Sequence, residues 1–188
     1  MIKINNVTFS YKNSNTEVLK NYSLEIKSGE RVHITGASGL GKTTLLRLIM
    51  GLERAKEGSV EIKKGAKISA VFQENRLIPT LTVLENVSLF SDVDTARELL
   101  SALGLDDVIC SLPNELSGGQ KRRAAIARAL ARNSDILILD EAFTGLDGEN
   151  KKRACELINK KAAKRVIIIV THDREDAQRL GAREIALI

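Results

Sequence analysis

A glycine-rich stretch early in the chain has the composition and spacing of a phosphate-binding loop. It reads Gly36-Ala37-Ser38-Gly39-Leu40-Gly41-Lys42-Thr43, with an apolar run at 31–35 before it and a helical apolar pattern from Thr44 onward. Strand, turn and helix in this order predict backbone N–H groups that form a nest for phosphate oxygens. Lys42 should reach the β- and γ-phosphates of a nucleotide, and the Thr43 hydroxyl should ligate Mg²⁺. The alternative, a flexible Gly/Ser loop, is disfavoured by the flanking strand and helix.

Two acidic residues end a second apolar run, and a histidine follows a third. The run at 136–139 leads into Asp140 and Glu141, and the run at 166–170 is followed closely by His172. Continuous apolar runs of this length are typical of parallel strands buried on both faces. Because α/β sheets bind ligands beyond the carboxyl ends of their strands, we expect these side chains to lie in a site. A surface acid and a polar neighbour of a helix cap are the alternatives for Glu141 and His172.

A second Ser/Gly/Gly stretch opens another helix. Leu116-Ser117-Gly118-Gly119-Gln120 precedes a helical run at 121–132, and a serine at position 117 is a good N-cap. The N–H groups at this helix start could hold a second anion. Since the two glycine-rich stretches open different helices, one anion cannot use both within one molecule.

Composition limits the class of protein. The 188 residues predict one domain, or one domain with a small lobe, and hydrophobic and charged shares of 43% and 28% are ordinary for a soluble globular protein. The net charge of +5 is spread along the chain and aromatics are only 3%, so no nucleic acid partner is expected. The sequence shows no membrane-spanning run and no signal-peptide core. The isolated Cys110 and Cys155 fit reduced cytosolic thiols that pack in the fold.

Alternating apolar runs and helical patterns predict a parallel sheet with helices on both faces. The predicted strands lie at 2–11, 22–26, 31–35, 58–62, 68–72, 135–141, 166–170 and 184–188. The predicted helices lie at 43–52, 83–90, 95–103, 121–132, 149–163 and 174–180. The first strand should be irregular near Asn5-Asn6, a turn is expected at 12–15, and His33, inside a strand, should be structural.

In this order the segments resemble the ATP-binding cassette (ABC) ATPase family over nearly the whole chain. The resemblance covers both glycine-rich stretches, the acidic pair and His172, and it adds Tyr11, Gln73 and the loop 145–147. It implies an α/β P-loop NTPase fold with a mainly parallel central sheet, an N-terminal antiparallel β part and a small helical lobe. It also implies a single domain at 1–188, with a RecA-like core at about 1–80 and 133–188 and a helical lobe at about 81–132.

The resemblance further implies which residues do the chemistry. ATP would be bound by Tyr11, Gly36, Ala37, Ser38, Gly39, Leu40, Gly41, Lys42, Thr43, Thr44, Ser117, Gly118, Gly119, Gln120 and Asp147. Mg²⁺ would be held by Thr43, Gln73 and Asp140. The catalytic residues would be Glu141, which deprotonates the attacking water, and His172, Lys42 and Gln73. From the residues alone, Tyr11 could equally be a strand-end tyrosine, and the resemblance favours stacking on the base.

Three features depart from the family pattern. Ala142 follows Glu141 where many relatives have proline, which removes no catalytic atom. Gln73 and Ser117 are 44 positions apart (117 − 73), which implies a trimmed helical lobe. The chain also ends soon after His172, with no appended regulatory domain. The segments 71–79 and 81–87 are similar to the ATPases of nitrate/sulfonate/taurine-type importers.

The resemblance implies an ATP-binding and ATP-hydrolysing subunit that powers an ABC transporter as a head-to-tail dimer. The expected partners are a second copy or a paralogous ATPase subunit, transmembrane permease subunits, and an external solute-binding protein. The expected location is cytoplasmic, peripheral on the cytoplasmic face of the cell membrane. A soluble ABC ATPase acting on DNA or ribosomes is the alternative, disfavoured because no coiled coil is inserted between Gln73 and Ser117. A non-hydrolysing binding module is disfavoured by Glu141 and His172.

Overall fold

The structure is a computed structural model that describes residues 1–12 and 16–187. Residues 13–15, within the predicted turn, and residue 188, at the end of the last predicted strand, lie outside the described part. The strands are β1 (Ile2–Phe9), β2 (Leu19–Ile26), β3 (Arg31–Thr35), β4 (Glu57–Ile62), β5 (Ile68–Val71), β6 (Ile136–Asp140), β7 (Val166–Val170) and β8 (Arg183–Ala186). The helices are α1 (Lys42–Ile49), α2 (Val83–Ser88), α3 (Val93–Ala102), α4 (Gly118–Ala131), α5 (Gly148–Lys161) and α6 (Arg174–Arg179), with 3₁₀ turns at 106–108 and 113–115.

A five-stranded parallel sheet forms the centre, in the order β5-β6-β7-β3-β8. Every residue of β6 and β7 is buried, and the alternation of side chains across a strand divides them between two cores. Ile138 and Ile168 join one core, whereas Leu139 and Ile169 join the other. This explains why both strands are apolar without interruption.

A three-stranded antiparallel sheet, ordered β2-β1-β4, lies over one of these cores. The apolar side chains of α1, Leu45, Leu46, Leu48 and Ile49, share that core with the inward residues of β1 and β3. The predicted irregularity of β1 is confirmed, because its register shifts between Ile4 and Val7 and Asn6 has a φ of 47°. Helix α1, which follows the phosphate loop, is therefore held between two sheets.

Helices α2, α3 and α4 pack together on the other core. Two of them begin with reciprocal caps. Thr82 and Glu85 cap α2, and Ser117 and Gln120 cap α4. A reciprocal cap provides acceptors for two backbone N–H groups that have no partner within the helix. Within the described residues, no helix is both long enough and apolar enough to cross a membrane.

The predicted fold class is confirmed: helices cover both faces of a mainly parallel sheet, beside an antiparallel sheet and a helical group. Several element limits differ from the prediction. β1 ends at Phe9, so Tyr11 follows the strand rather than belonging to it. The prediction of Ser117 as the N-cap is confirmed: helix α4 begins at Gly118, so the two glycines belong to the helix whose clear helical run was expected over 121–132.

Candidate active site

A cleft of about 480 Å³ opens at the carboxyl ends of the central strands. Its walls come from the phosphate loop, from the ends of β5, β6 and β7, and from the segment between β1 and β2. The lining residues are Tyr11, Val18, Ser38, Gly39, Gly41, Lys42, Thr43, Thr44, Gln73, Asp140, Glu141, Thr144, Val170 and His172. Polar residues predicted from five separate segments thus meet in one cavity.

The phosphate loop needs glycine at two positions for steric reasons. Gly36 has a φ of 149° and Gly41 a φ of 93°, both in the region that favours glycine. A Cβ on Gly41 would lie 2.8 Å from Val18 Cγ1, and a Cβ on Gly36 would lie 2.9 Å from the Leu187 carbonyl. Lys42 Nζ donates to the carbonyls of Gly36 at 2.7 Å and Ala37 at 3.0 Å, which holds the ammonium over the loop.

Tyr11 also lines the cleft, and its side chain contacts helix α1. Its hydroxyl and the Thr44 hydroxyl are 2.9 Å apart, and its ring meets that of Phe9 edge-on with centroids 5.0 Å apart. The ring nevertheless lines the cleft, with 42% of the residue exposed. Tyr11 therefore lines the cleft with its hydroxyl fixed to the first turn of α1.

The acidic pair lies at the end of β6 in two different environments. Asp140 is buried, and this burial raises the pKa of its carboxyl, as does the neighbouring Glu141, while Lys42 and Arg122 oppose the shift. Glu141 adopts a φ of 50°, a conformation that costs a non-glycine residue about 1–3 kcal/mol. Its N–H donates to the Val170 carbonyl at 2.8 Å, which holds that conformation.

The Glu141 carboxylate is oriented by two side chains. Thr144 Oγ1 donates to one carboxylate oxygen at 3.2 Å, and His172 Nε2 lies 3.5 Å from the other. The His172 side chain is itself 74% exposed. Both contacts leave the carboxylate facing the cleft, where it could accept a proton from a water molecule.

Gln73 follows β5 at the edge of the same cleft. Its backbone is fixed by hydrogen bonds from an arginine side chain. Arg122, on α4, donates to the carbonyls of Phe72 and Gln73, each at 2.6 Å. Arg122 is buried, and desolvation lowers the pKa of its guanidinium. The segment that carries Gln73 is thus attached to the helix that begins at Ser117.

The oxygen donors of the cleft fit a magnesium ion bound together with a nucleotide. No group of three or more His, Cys, Asp or Glu residues that could hold a metal occurs in the described chain. The cleft instead offers the Thr43 hydroxyl, the Gln73 amide and the buried Asp140 carboxylate. Mg²⁺ prefers such hard oxygen ligands in small number, with nucleotide phosphates and water completing the shell.

The second glycine-rich stretch and Asp147 do not join this cleft. In the α4 capping box, the Ser117 N–H donates to Gln120 Oε1 at 2.8 Å, and the Gln120 N–H donates to Ser117 Oγ at 3.2 Å. Among the described residues no acceptor faces the N–H groups of Gly118 and Gly119. Asp147 caps α5 by accepting from Asn150. A Cβ on Gly119 would lie 3.6 Å from the Gly145 carbonyl, so the two segments are neighbours.

Sequence reasoning missed Val18, Thr144 and Arg122. Val18 belongs to no motif, and its role in closing the loop at Gly41 depends on packing. Thr144 could have been noticed, since it lies only three positions after Glu141. Arg122 gave no signal, because an arginine in a basic helix is usually a solvated side chain.

A mainly parallel sheet with a glycine-rich loop between β3 and α1, and with an acidic pair at the end of β6, defines a P-loop NTPase. Comparison with known proteins narrows this class. Residues 19–144 match the family described as ABC transporter. The chain belongs to this family and is an ATP-binding subunit that hydrolyses ATP to power transport.

Two curated relatives are import proteins. The chain is 33% identical to the thiamine import ATP-binding protein ThiQ of Photorhabdus laumondii, over 100% of this chain and 87% of that protein. It is 38% identical to the aliphatic sulfonates import ATP-binding protein SsuB 1 of Rhodococcus jostii, over 100% of this chain and 80% of that protein. The predicted similarity to sulfonate-type importer ATPases is consistent with the second match.

A solved structure shows the same fold. The chain superimposes with a TM-score of 0.89 and 36% identity on the structure described as the dimeric post-hydrolysis state of the ATP-binding cassette MJ0796 bound to ADP and Pi. That match covers 99% of this chain and 94% of the other.

Proposed function

We propose that this chain hydrolyses ATP at a composite site built by two copies arranged head to tail. The observation that carries the proposal is the separation of two anion-binding segments. The phosphate loop lines the cleft, while Gly118 and Gly119 present unpaired N–H groups elsewhere on the surface. A second molecule would bring those N–H groups over the triphosphate. The neighbouring Asp147 would lie on the same interface.

The residues of the cleft divide the chemistry between them. Lys42 and the loop N–H groups bind the phosphates, and Tyr11 stacks on the base. Glu141 accepts a proton from the attacking water, with its carboxylate oriented by Thr144. His172, which lies beside Glu141, contacts the γ-phosphate. Phosphoryl transfer depends mainly on positioning and charge stabilisation, and this arrangement provides both.

Mg²⁺ would be held by Thr43, Asp140 and Gln73, and it would neutralise charge on the β- and γ-phosphates. The raised pKa of Asp140 supports this assignment, since a buried carboxylate gains most from a neighbouring cation. The hydrogen bond from Arg122 to the Gln73 carbonyl, at 2.6 Å, supports this role because it fixes the backbone of Gln73.

A transmembrane permease is the proposed partner, and an apolar groove is the proposed contact. The groove has a volume of about 330 Å³, and Leu52, Leu89 and Phe90 in its lining are each about half exposed. Phe72 also lines it, directly before Gln73. A permease segment bound there would touch the residue adjacent to the nucleotide cleft, so hydrolysis and movement could be linked.

By analogy with the two import proteins, the transported solute is a small polar or anionic compound that is taken up. An external solute-binding protein would then deliver it, and a paralogous ATPase subunit could replace the second copy. The chain would act on the cytoplasmic face of the cell membrane, bound to the permease.

Size-exclusion chromatography with ATP tests the composite site. Glu141→Gln should bind ATP and elute as a dimer, because hydrolysis no longer separates the copies. Adding Gly118→Asp should abolish that dimer while ATP binding remains. A Cβ at Gly118 would meet nothing within 4 Å in the monomer, and an acid in the first turn favours the helix. Only the triphosphate of a second copy would be repelled.

Val93→Asp is the matched control, since Val93 is the exposed first residue of α3. It should leave the ATP-induced dimer of Glu141→Gln unchanged. A dimer that survives Gly118→Asp, or a Glu141→Gln variant that stays monomeric with ATP, would contradict the head-to-tail arrangement.

A further inference from the structure

His33 is a buried histidine inside β3 for which the site described above has no role. It is 3% exposed, and its Nε2 lies 3.1 Å from the carbonyl oxygen of Thr171. Because a carbonyl oxygen only accepts, Nε2 carries the proton and donates. The hydrogen bond joins the strand that leads into the phosphate loop to the residue directly before His172.

The bond lies where the backbone pairing of two strands stops. The ladder between β3 and β7 ends at the partners His33 and Ile169, and β7 ends one residue later, at Val170. On its other side β3 continues to pair with β8 as far as Thr35 and Ala186. The His33 imidazole therefore provides one more hydrogen bond between β3 and the chain that continues from β7. This bond lies past the last backbone pair, at Thr171, where the chain leaves the sheet.

The residue after His172 is anchored as well. Lys151 Nζ donates to Asp173 Oδ2 at 2.6 Å, and the Asp173 N–H donates to Thr171 Oγ1 at 3.1 Å. His172 itself is largely exposed, and its Nε2 approaches the Glu141 carboxylate at 3.5 Å. The position of its imidazole thus depends on a backbone fixed on both sides, by His33 before it and by Lys151 after it.

We propose that His33 is a positioning residue for His172. It holds the Thr171 carbonyl so that the His172 imidazole stays beside Glu141, at the place where a γ-phosphate would lie. The inference rests on the proposed contact of His172 with the γ-phosphate. His33 would also fix the position of the His172 segment relative to the phosphate loop. That loop begins three residues after His33, directly after β3.

A double-mutant cycle with His172→Ala tests the inference. We expect His33→Leu, which fills the space but has no donor, to lower ATP turnover about tenfold or more. ATP affinity, measured by fluorescence with a labelled ATP analogue, should change less than twofold, as should KM. His33→Gln should restore most of the turnover, since its side-chain amide can donate to the same carbonyl. On the His172→Ala background, His33→Leu should have no further effect.

Arg31→Met is the matched control. Arg31 starts the same strand, is partly buried, and donates to the Leu180 carbonyl at 2.8 Å, far from the cleft. It should lower the thermal midpoint as His33→Leu does and leave turnover unchanged. A fall in turnover equal to that of His33→Leu would show a general effect of weakening β3 and would overturn the inference.

Two results separate this inference from the proposed function. If His172→Ala keeps wild-type turnover, the role proposed for His172 fails, and the role of His33 fails with it. If His172→Ala loses turnover, three outcomes overturn the role of His33 and leave that of His172 standing. His33→Leu could keep wild-type turnover, or it could lose much of its ATP affinity. The third outcome is a further fall in turnover when His33→Leu is added to His172→Ala.

Discussion

Arg122 donates from Nη2 to the backbone carbonyl of Gln73 at 2.6 Å, across 49 positions of sequence. Its Nη1 donates to the preceding carbonyl, that of Phe72, at the same distance. Arg122 belongs to the helix that begins with the second glycine-rich stretch, and Gln73 lies at the nucleotide cleft. The two proposed halves of the composite site are therefore connected within one chain by a single buried guanidinium.

Replacing Arg122 by methionine should loosen the Gln73 segment. Hydrogen bonds from charged donors contribute about 1.5–3 kcal/mol each, so local opening should become easier. Backbone NMR order parameters at Gln73 and Glu74 should fall from the rigid value of about 0.85 toward about 0.6. The same helix provides a control in Arg128, which donates to the carbonyls of Asn75 and Arg76. Arg128→Met should lower the order parameters of those residues, and equal effects of both variants at Gln73 would argue against a specific connection.

Lys42→Ala should abolish measurable ATP binding in calorimetry. The Nζ of Lys42 contacts two loop carbonyls, and the contacts are exposed, so its loss should leave stability nearly unchanged. What disappears is the cation that meets the phosphates. Lys20→Ala, at a lysine whose side chain is 83% exposed, should bind ATP as the wild type does. Unaltered affinity in Lys42→Ala would refute the role given to the loop.

Thr144→Val should lower turnover about tenfold, with ATP affinity retained. The substitution keeps the shape of the side chain and removes the donor that holds one oxygen of Glu141 at 3.2 Å. A freely rotating carboxylate spends less time aligned with the attacking water. Thr144→Ser keeps the hydroxyl and should retain most of the turnover. Should valine and serine reduce turnover equally, the hydroxyl would have no orienting role.

The sequence predicted the parts of the molecule where local pattern and final structure agree. β6 and β7 were predicted within one residue at each end, because strands buried on both faces must be apolar throughout. The cleft residues from Tyr11 to His172 were predicted from motifs and resemblance, and the structure brings most of them together. Their proximity in one cleft supports the roles proposed for them.

What the sequence could not predict depends on partners distant along the chain. Arg122 and His33 are polar residues in a helix and a strand, and their types do not reveal which carbonyl they meet. Val18 matters because a Cβ on Gly41 would collide with it. Tertiary contacts decide each of these cases.

Lys151→Met should destabilise the fold more than any surface substitution. Lys151 pairs with Asp173 and, at 3.0 Å, with Asp176, which is 2% exposed. Burial raises the pKa of Asp176 and Lys151 opposes that shift, so removing Lys151 leaves a buried charge unpaired. The expected loss is about 3–5 kcal/mol at neutral pH, the range for breaking a buried pair. Urea unfolding measures it directly.

The same substitution should show a characteristic pH dependence. In Lys151→Met the folded-state pKa of Asp176 rises further above its unfolded value, so the folded state binds the extra proton first and gains stability as pH falls toward the ordinary range of Asp. In the wild type, Lys151 lowers the pKa of Asp173, so that contribution stays constant from pH 7 to pH 5 and is lost only as pH falls below the ordinary range of Asp. The difference in unfolding free energy between the two proteins should therefore narrow from pH 7 to pH 5.

Lys161→Met, which breaks a 3.9 Å surface pair with Glu98, should change stability by less than about 1 kcal/mol at both pH values. A constant difference for Lys151→Met across that range would mean that Asp176 is not the group left unpaired.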